Sequence, residues 1–190
     1  MAKLERITKE TEIRMELRKG TGESAISTGV GFLDHMLTLL SFHAGLEIDV
    51  RVQGDVRVDD HHTTEDTGIV LGLLLKDILG DKGDIRRYGT AYVPMDETLT
   101  RTVIDVSGRP YLSFNAEICR EKVGTFDTEL AQEFFRAVVM NAGLTVHMDL
   151  IRGGNAHHEI ESLFKSFARA LREAMQTGDG RLASTKGVLA

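Results

Sequence analysis

The apolar and polar positions of the chain divide it into short alternating segments and longer segments of helical period. Residues 4–18, LERITKETEIRMELR, set Ile7, Ile13, Met15 and Leu17 among charged neighbours, which predicts one half-buried strand. KGTGES reads as a turn. In FLDHMLTLLSFHA, Phe32, Leu33, Met36, Leu37 and Leu40 recur at helical spacing, and Gly45 is placed to end that helix. LEIDVRV alternates again as a strand, with Leu46, Ile48, Val50 and Val52 on one face. Asp59 or Asp60 then offers an N-cap for a helix running to about Leu79. The second half begins with three extended segments, GTAYVPM, LTRTVIDVSG and PYLSFNAEI. A helix follows over TELAQEFFRAVVMNA, then Gly143, a strand LTVHMDLI, and a helix from Asn155 to about Met175. The last helix has an apolar stripe of Ile160, Leu163, Phe164, Phe167, Leu171 and Met175.

The order of elements repeats, and so do the residues. AGLEIDV at 44–50 matches AGLTVHM at 142–148, and HHTTE at 61–65 matches HHEIE at 157–161. The preceding helices align as well, with Asp34-His35 opposite Gln132-Glu133. This predicts an internal duplication of a strand-strand-helix-strand-helix unit. The fold class is α+β, two similar half-domains, each a mixed β-sheet covered by helices, because a lone sheet leaves an apolar face uncovered. The expected organisation is a single catalytic domain over residues 1–190, made of repeats at about 1–85 and 86–178, with a C-terminal tail 179–190. Two repeats are too few for a solenoid.

Composition narrows the function. A formal net charge of −6 argues against binding duplex nucleic acid, which calls for a basic face. With one cysteine, Cys119, the chain can form neither an internal disulfide nor a thiolate metal cluster. MAKLERITKE is charged and lacks the apolar core of a secretory signal, and GIVLGLLL at 68–75 is too short to span a bilayer. A soluble, cytoplasmic protein with no membrane partner is the expectation.

The repeated His-His-x-x-Glu carries the chemistry. Residues four apart share a helix face, so His61 with Glu65, and His157 with Glu161, each close on one ion. His62 and His158 point about 100° away around the axis and serve a different ion. Two such motifs facing across a pseudo-twofold axis hold two metals, each taking a clamp from one half and a lone imidazole from the other. His35 and its counterpart Glu133 are natural further ligands. A dication near a helix N-terminus meets the positive end of the macrodipole, a penalty of roughly 1 kcal/mol, which Glu65, Glu161, Asp59, Asp60 and Asp66 offset. Imidazole and carboxylate without thiolate suit manganese, iron or zinc. A single His pair would be read as a surface feature; its recurrence in register, with Glu in both halves, favours a metal site. His43 and His147 lack such partners and are read as structural. Arg86, Arg87, Arg109 and Lys186 stand out as cations in an acidic chain; taken alone, Arg86 and Arg87 read as solvated surface charge and GDGRLASTKGVLA, which holds Lys186, as a frayed tail.

The segments RITKET, FLDHML, GDVRVDDHHTTED, RRYG, PMDE, SGRPY, HHEIE and STKGVL, spread over essentially the whole chain, resemble those of the imidazoleglycerol-phosphate dehydratase family. The resemblance implies a manganese-dependent hydro-lyase of histidine biosynthesis, with two Mn²⁺ per active site. Its substrate is a phosphorylated imidazole, D-erythro-imidazole glycerol phosphate, converted to imidazole acetol phosphate through a metal-bound imidazolate. It implies a homo-oligomer of 24 subunits with active sites at subunit interfaces. By position, one manganese takes His35, His62, His157 and Glu161, and the other takes His61, Glu65, His158 and Glu133, where many relatives have histidine. Glu10 matches an acid/base residue that contacts substrate, and His35 likewise falls among the substrate contacts. Arg87, Arg109, Ser184 and Lys186 match phosphate-binding positions. Two rivals use the same ligands. A dinuclear phosphatase would release inorganic phosphate from the same compound. A metal-storage protein would tolerate alanine at Glu10, Arg109 and Lys186.

Overall fold

The computed structural model describes residues 1–178, Gly180, Ala183 and Ser184. The first half runs β1 (Ala2–Ile7), β2 (Thr11–Lys19), β3 (Ile26–Ser27), α1 (Gly31–Ala44), β4 (Leu46–Gly54) and α2 (His61–Leu79). The second runs β5 (Tyr88–Met95), β6 (Thr98–Asp105), β7 (Tyr111–Asn115), α3 (Leu130–Ala142), β10 (Thr145–Arg152) and α4 (Ala156–Ala174), with a small hairpin of β8 (Lys122–Val123) and β9 (Phe126–Asp127) ahead of α3. The sheets have the same topology, β1-β2-β4-β3 and β5-β6-β10-β7, and in each the last pair is parallel. Two similar half-domains with mixed sheets are therefore present. The repeating unit has one strand more than the sequence pattern predicts, because β3 is only two residues long and shows no periodicity.

The segment 4–18 is not one strand. Thr8 breaks it: its Oγ1 accepts hydrogen bonds from the backbone N–H of Glu10 and Thr11, folding β1 back on β2 as a hairpin. Ile7, read as a core position, is left 64% exposed at the turn. The remaining expectations hold at their ends. Gly45 and Gly143 both take left-handed backbone (φ 66° and 69°) and close α1 and α3 through N–H bonds to Ser41 and Val139. Asn155 caps α4 through its side chain. Asp60 stands at the N-cap position of α2 without a side-chain bond; Asp59 Oδ1 accepts the His61 N–H instead.

Each sheet packs on its own helices, and the helix layers face each other, α1 on α4 and α2 on α3, so the sheets lie outermost. Ile13, Met15 and Leu17 pair across β2–β4 with Val52, Val50 and Ile48, all pointing inward, while Glu12, Arg14, Glu16 and Arg51 alternate outward. In the second half the inner face of β6 carries Thr98, Thr100, Thr102 and Ile104. The buried hydroxyls are matched: Thr100 meets Ser162 and Thr102 meets Ser166, each at 2.8 Å. Phe134, Phe135, Phe164 and Phe167 pack into one aromatic cluster between α3 and α4.

The four helices run in one direction. Along α1 and α4, His35 meets Glu161 near the beginning and Gly45 meets Arg172 near the end. Along α2 and α3, Gly68 lies on Phe134 and Gly72 on Val138. Strands β4 and β10 return the chain, so both seams have their helix N-termini at the same end of the molecule.

Gly68 and Gly72 are required by close approach. A Cβ at Gly72 would lie 2.6 Å from the Val138 carbonyl oxygen, and one at Gly68 would lie 2.8 Å from that of Phe134. Helix propensity alone would make Gly72→Ala stabilising by about 1 kcal/mol. The contact with backbone predicts the reverse, a loss of about 1–3 kcal/mol. Thermal unfolding at matched protein concentration distinguishes the two signs.

Candidate metal centre and phosphate site

The α1–α4 seam gathers the first set of donors. Asp34 Oδ1 accepts from Thr28 N–H (2.8 Å) and Thr28 Oγ1 (2.6 Å), fixing the start of α1 one residue before His35. Asn155 Oδ1 accepts from the backbone of His157 (3.0 Å) and His158 (3.4 Å), fixing the first turn of α4. Glu161 Oε2 then lies 3.1 Å from His35 Nε2 and 3.0 Å from His157 Nε2. The three donor atoms lie within 4.8 Å of one another. The other oxygen of Glu161 takes the Lys165 ammonium at 2.5 Å. Burial alone would raise the Glu161 carboxyl; the hydrogen bonds from Lys165 and His157 outweigh it and hold the group below the ordinary carboxylate range. Two imidazole nitrogens and one carboxylate oxygen, converging and without thiolate, form a donor set that fits manganese, iron or zinc.

The α2–α3 seam is the pseudo-equivalent place and is more open. His61 Nε2 and Glu65 Oε2 face each other at 3.7 Å, one helical turn apart. Glu133 lies across the seam on α3, where its carboxylate is taken by Arg136 at 3.2 Å. Among the described residues, His61, Glu65 and Glu133 do not converge as closely as the first set does.

The remaining imidazoles turn elsewhere, as the helix geometry requires. His62 Nδ1 bonds Asp55 Oδ2 at 2.9 Å, a contact that raises the imidazole above its ordinary pKa, and His62 Nε2 lies 3.8 Å from Glu10 Oε1. His158 Nδ1 lies 3.2 Å from both oxygens of Glu97, with Asp96 beside them. Within one chain, then, His35, His157 and Glu161 come together without His62, and His61 and Glu65 come together without His158.

The cations occupy the opposite end. Arg87 adopts a positive φ of 71° at the start of β5, and its backbone N–H bonds Ala174 O at the C-terminal end of α4. Its guanidinium holds Asp105 through two bonds (2.7 and 3.1 Å) and donates to Ala183 O at 2.6 Å, next to Ser184. Arg109 lies in the β6–β7 turn, where its carbonyl accepts from Thr145 Oγ1; its guanidinium has no hydrogen bond or ion pair among the described residues. Lys186 lies outside the described residues. Most of the 19-residue length of α4 separates Arg87 from His157, roughly 25 Å at about 1.5 Å per residue.

Four contacts were not foreseen from the sequence. Lys165 sits four residues after Glu161, the same spacing that pairs His157 with Glu161, so its signal was present. Glu97 and Asp96 lie within the PMDE segment and Asp55 within GDVRVDD, but nothing local indicates that they face His158 and His62.

Comparison with known proteins agrees with these elements and motifs. The family model described as Imidazoleglycerol-phosphate dehydratase matches residues 28–171. The chain is 60% identical over 186 residues to the imidazoleglycerol-phosphate dehydratase of Staphylococcus aureus (strain JH9), covering 97% of each chain. Among solved structures, that of the dehydratase from Staphylococcus aureus subsp. aureus N315 superposes with a TM-score of 0.86 at 57% identity, covering 92% of this chain and 98% of that one. The structure of IGPD from Pyrococcus furiosus in complex with (S)-C348 gives 0.83 at 36% identity, covering 98% and 100%. On the shared fold and the near-complete alignment, this chain belongs to the imidazoleglycerol-phosphate dehydratase family.

Proposed function

We propose that the protein is a hydro-lyase of histidine biosynthesis that removes water from D-erythro-imidazole glycerol phosphate to give imidazole acetol phosphate, using two manganese ions per active site. The observation that carries this reading is the convergence of His35, His157 and Glu161 on the α1–α4 seam of a chain from the dehydratase family. One ion would be held by these three residues and His62, the other by His61, Glu65, His158 and Glu133. When bound, the ions act as Lewis acids that orient the imidazole ring and accept its electron density.

The chain's own groups do the rest. A C–H proton and the hydroxyl on the ring-bearing carbon leave as water, and the enol so formed rearranges to the ketone. Glu10 is the proton carrier: it lies at the β1–β2 turn, exposed, with its carboxylate toward His62 Nε2. Arg87, Arg109, Ser184 and Lys186, with the tail 179–190, bind the phosphate and fix the reacting carbons against the other groups. In Arg87 the guanidinium is already oriented by Asp105.

These roles imply a site shared between copies. Glu10 and the histidines lie at the helix N-termini, while Arg87 and Arg109 lie at the far end, a separation much longer than the three-carbon chain joining ring and phosphate in the substrate. His62 likewise reaches the His35 set only from another copy. An assembly of 24 subunits with active sites at the contacts satisfies both requirements. A cytoplasmic location accompanies this reading; among the described residues no helix is long and apolar enough to cross a membrane.

Glu10→Gln is expected to lower kcat by roughly 10²–10⁴ and leave manganese content unchanged. Metal analysis beside turnover checks it, and parallel loss of both would remove Glu10 from the proton-transfer role. Mixing two impaired proteins, Glu10→Gln and Arg109→Ala, under conditions that exchange subunits is expected to restore activity, since some sites then receive both intact groups. A mixture no more active than its components would place both groups in one chain's site. Chelation is expected to abolish turnover, and manganese alone to restore it, with two ions per chain by metal analysis.

A further inference from the structure

We propose that Asp55 and Glu97 are positioning residues for the two unclamped imidazoles: each takes the Nδ1–H of its histidine and leaves Nε2 as the metal-binding nitrogen. The proposal rests on the dimetal reading above and assigns a role to two residues outside its ligand sets.

The geometry is direct in both halves. Asp55 Oδ2 lies 2.9 Å from His62 Nδ1, and both Glu97 oxygens lie 3.2 Å from His158 Nδ1. An imidazole that donates from Nδ1 carries its lone pair on Nε2, and its ring is held against rotation about the side-chain bonds. His157 needs no such help, because its Nε2 is already placed by Glu161 one turn along the same helix.

The two acceptors come from non-equivalent positions. Asp55 follows β4, and the residue in the same place after β10 is Gly153. Space there is taken by Glu159: a Cβ on Gly153 would lie 2.1 Å from its Oε1. Glu159 is itself committed to the backbone N–H of Gly154 and Cys119, so it is not the acceptor for His158. Glu97, from the β5–β6 turn, supplies the bond instead. In the first half the residue at that place in the β1–β2 turn is Glu10, which faces the other nitrogen of His62. The same Nδ1 contact is thus built twice from different elements, which marks the contact itself as the requirement. Asp55 adds a second sign. Its Oδ1 is buried with no partner among the described residues, an unfavourable arrangement for a carboxylate whose only service is structural.

The test is a manganese titration of the assembled protein, following the resonance signal of free Mn²⁺, for wild type and for Asp55→Ala, Asp55→Asn, Glu97→Ala and Glu97→Gln. Each alanine variant is expected to weaken one of the two ions per chain by about 10–100-fold and leave the other unchanged. The amide variants keep a carbonyl acceptor for Nδ1–H and are expected to recover most of that affinity, with metal-free melting temperatures equal to wild type throughout. Alanine variants that bind both ions as wild type does overturn the proposal, as does a loss of affinity that only follows a lowered metal-free melting temperature. Wild-type protein that takes up fewer than two ions per chain overturns the dimetal reading itself, a result distinct from unchanged variants of a two-ion protein.

Discussion

Neighbouring side chains on an α-helix diverge by about 100°, and the arrangement of the whole candidate site follows from that angle. A His-His pair cannot close on one ion. The first imidazole of each pair joins the glutamate one turn on, and the second turns to a different surface. His157 and Glu161 accordingly meet His35 inside the α1–α4 seam, whereas His158 faces Glu97. Because the helices all run the same way, both motifs emerge at one end of the molecule, and the groups that a substrate phosphate would need emerge at the other. Within one chain the two groups of side chains therefore lie at opposite ends of the helices.

The common helix direction also sorts the charge. Helix N-termini carry partial positive charge and favour anions, and C-termini favour cations. Asp55, Asp59, Glu10, Glu97, Glu65 and Glu161 lie at the N-terminal end, where the helix dipoles favour negative charge. Arg87 sits against the last turn of α4, bonded through its backbone to Ala174, and Arg109 follows β6 at the same end. Both features come from backbone geometry shared by the two halves, with side chains chosen to suit it.

Much of this was legible in the sequence because it is local. Glycine after an apolar helical stripe marked the ends of α1 and α3, asparagine marked the start of α4, and four-residue spacing paired each histidine with its glutamate. The failures are of two kinds. Short elements leave no periodic trace: β3 is two residues long, and the Thr8 turn hides inside a stretch whose alternation continues on both sides of it. Contacts between distant segments leave none either. Asp55 with His62 and Glu97 with His158 depend on how a loop and a hairpin turn fall beside a helix N-terminus. The carbonyl contacts that demand Gly68 and Gly72 depend on how closely α3 approaches α2.

The aromatic cluster of Phe134, Phe135, Phe164 and Phe167 belongs wholly to the second half. At the positions matching Phe164 and Ala168, the first half has Gly68 and Gly72, shaped to receive the partner helix. One half has become the filler and the other the mould. The seam between the halves is therefore asymmetric: the first half offers bare α2 backbone where α3 comes closest, and the second half fills the matching positions of α4 with Phe164 and Ala168.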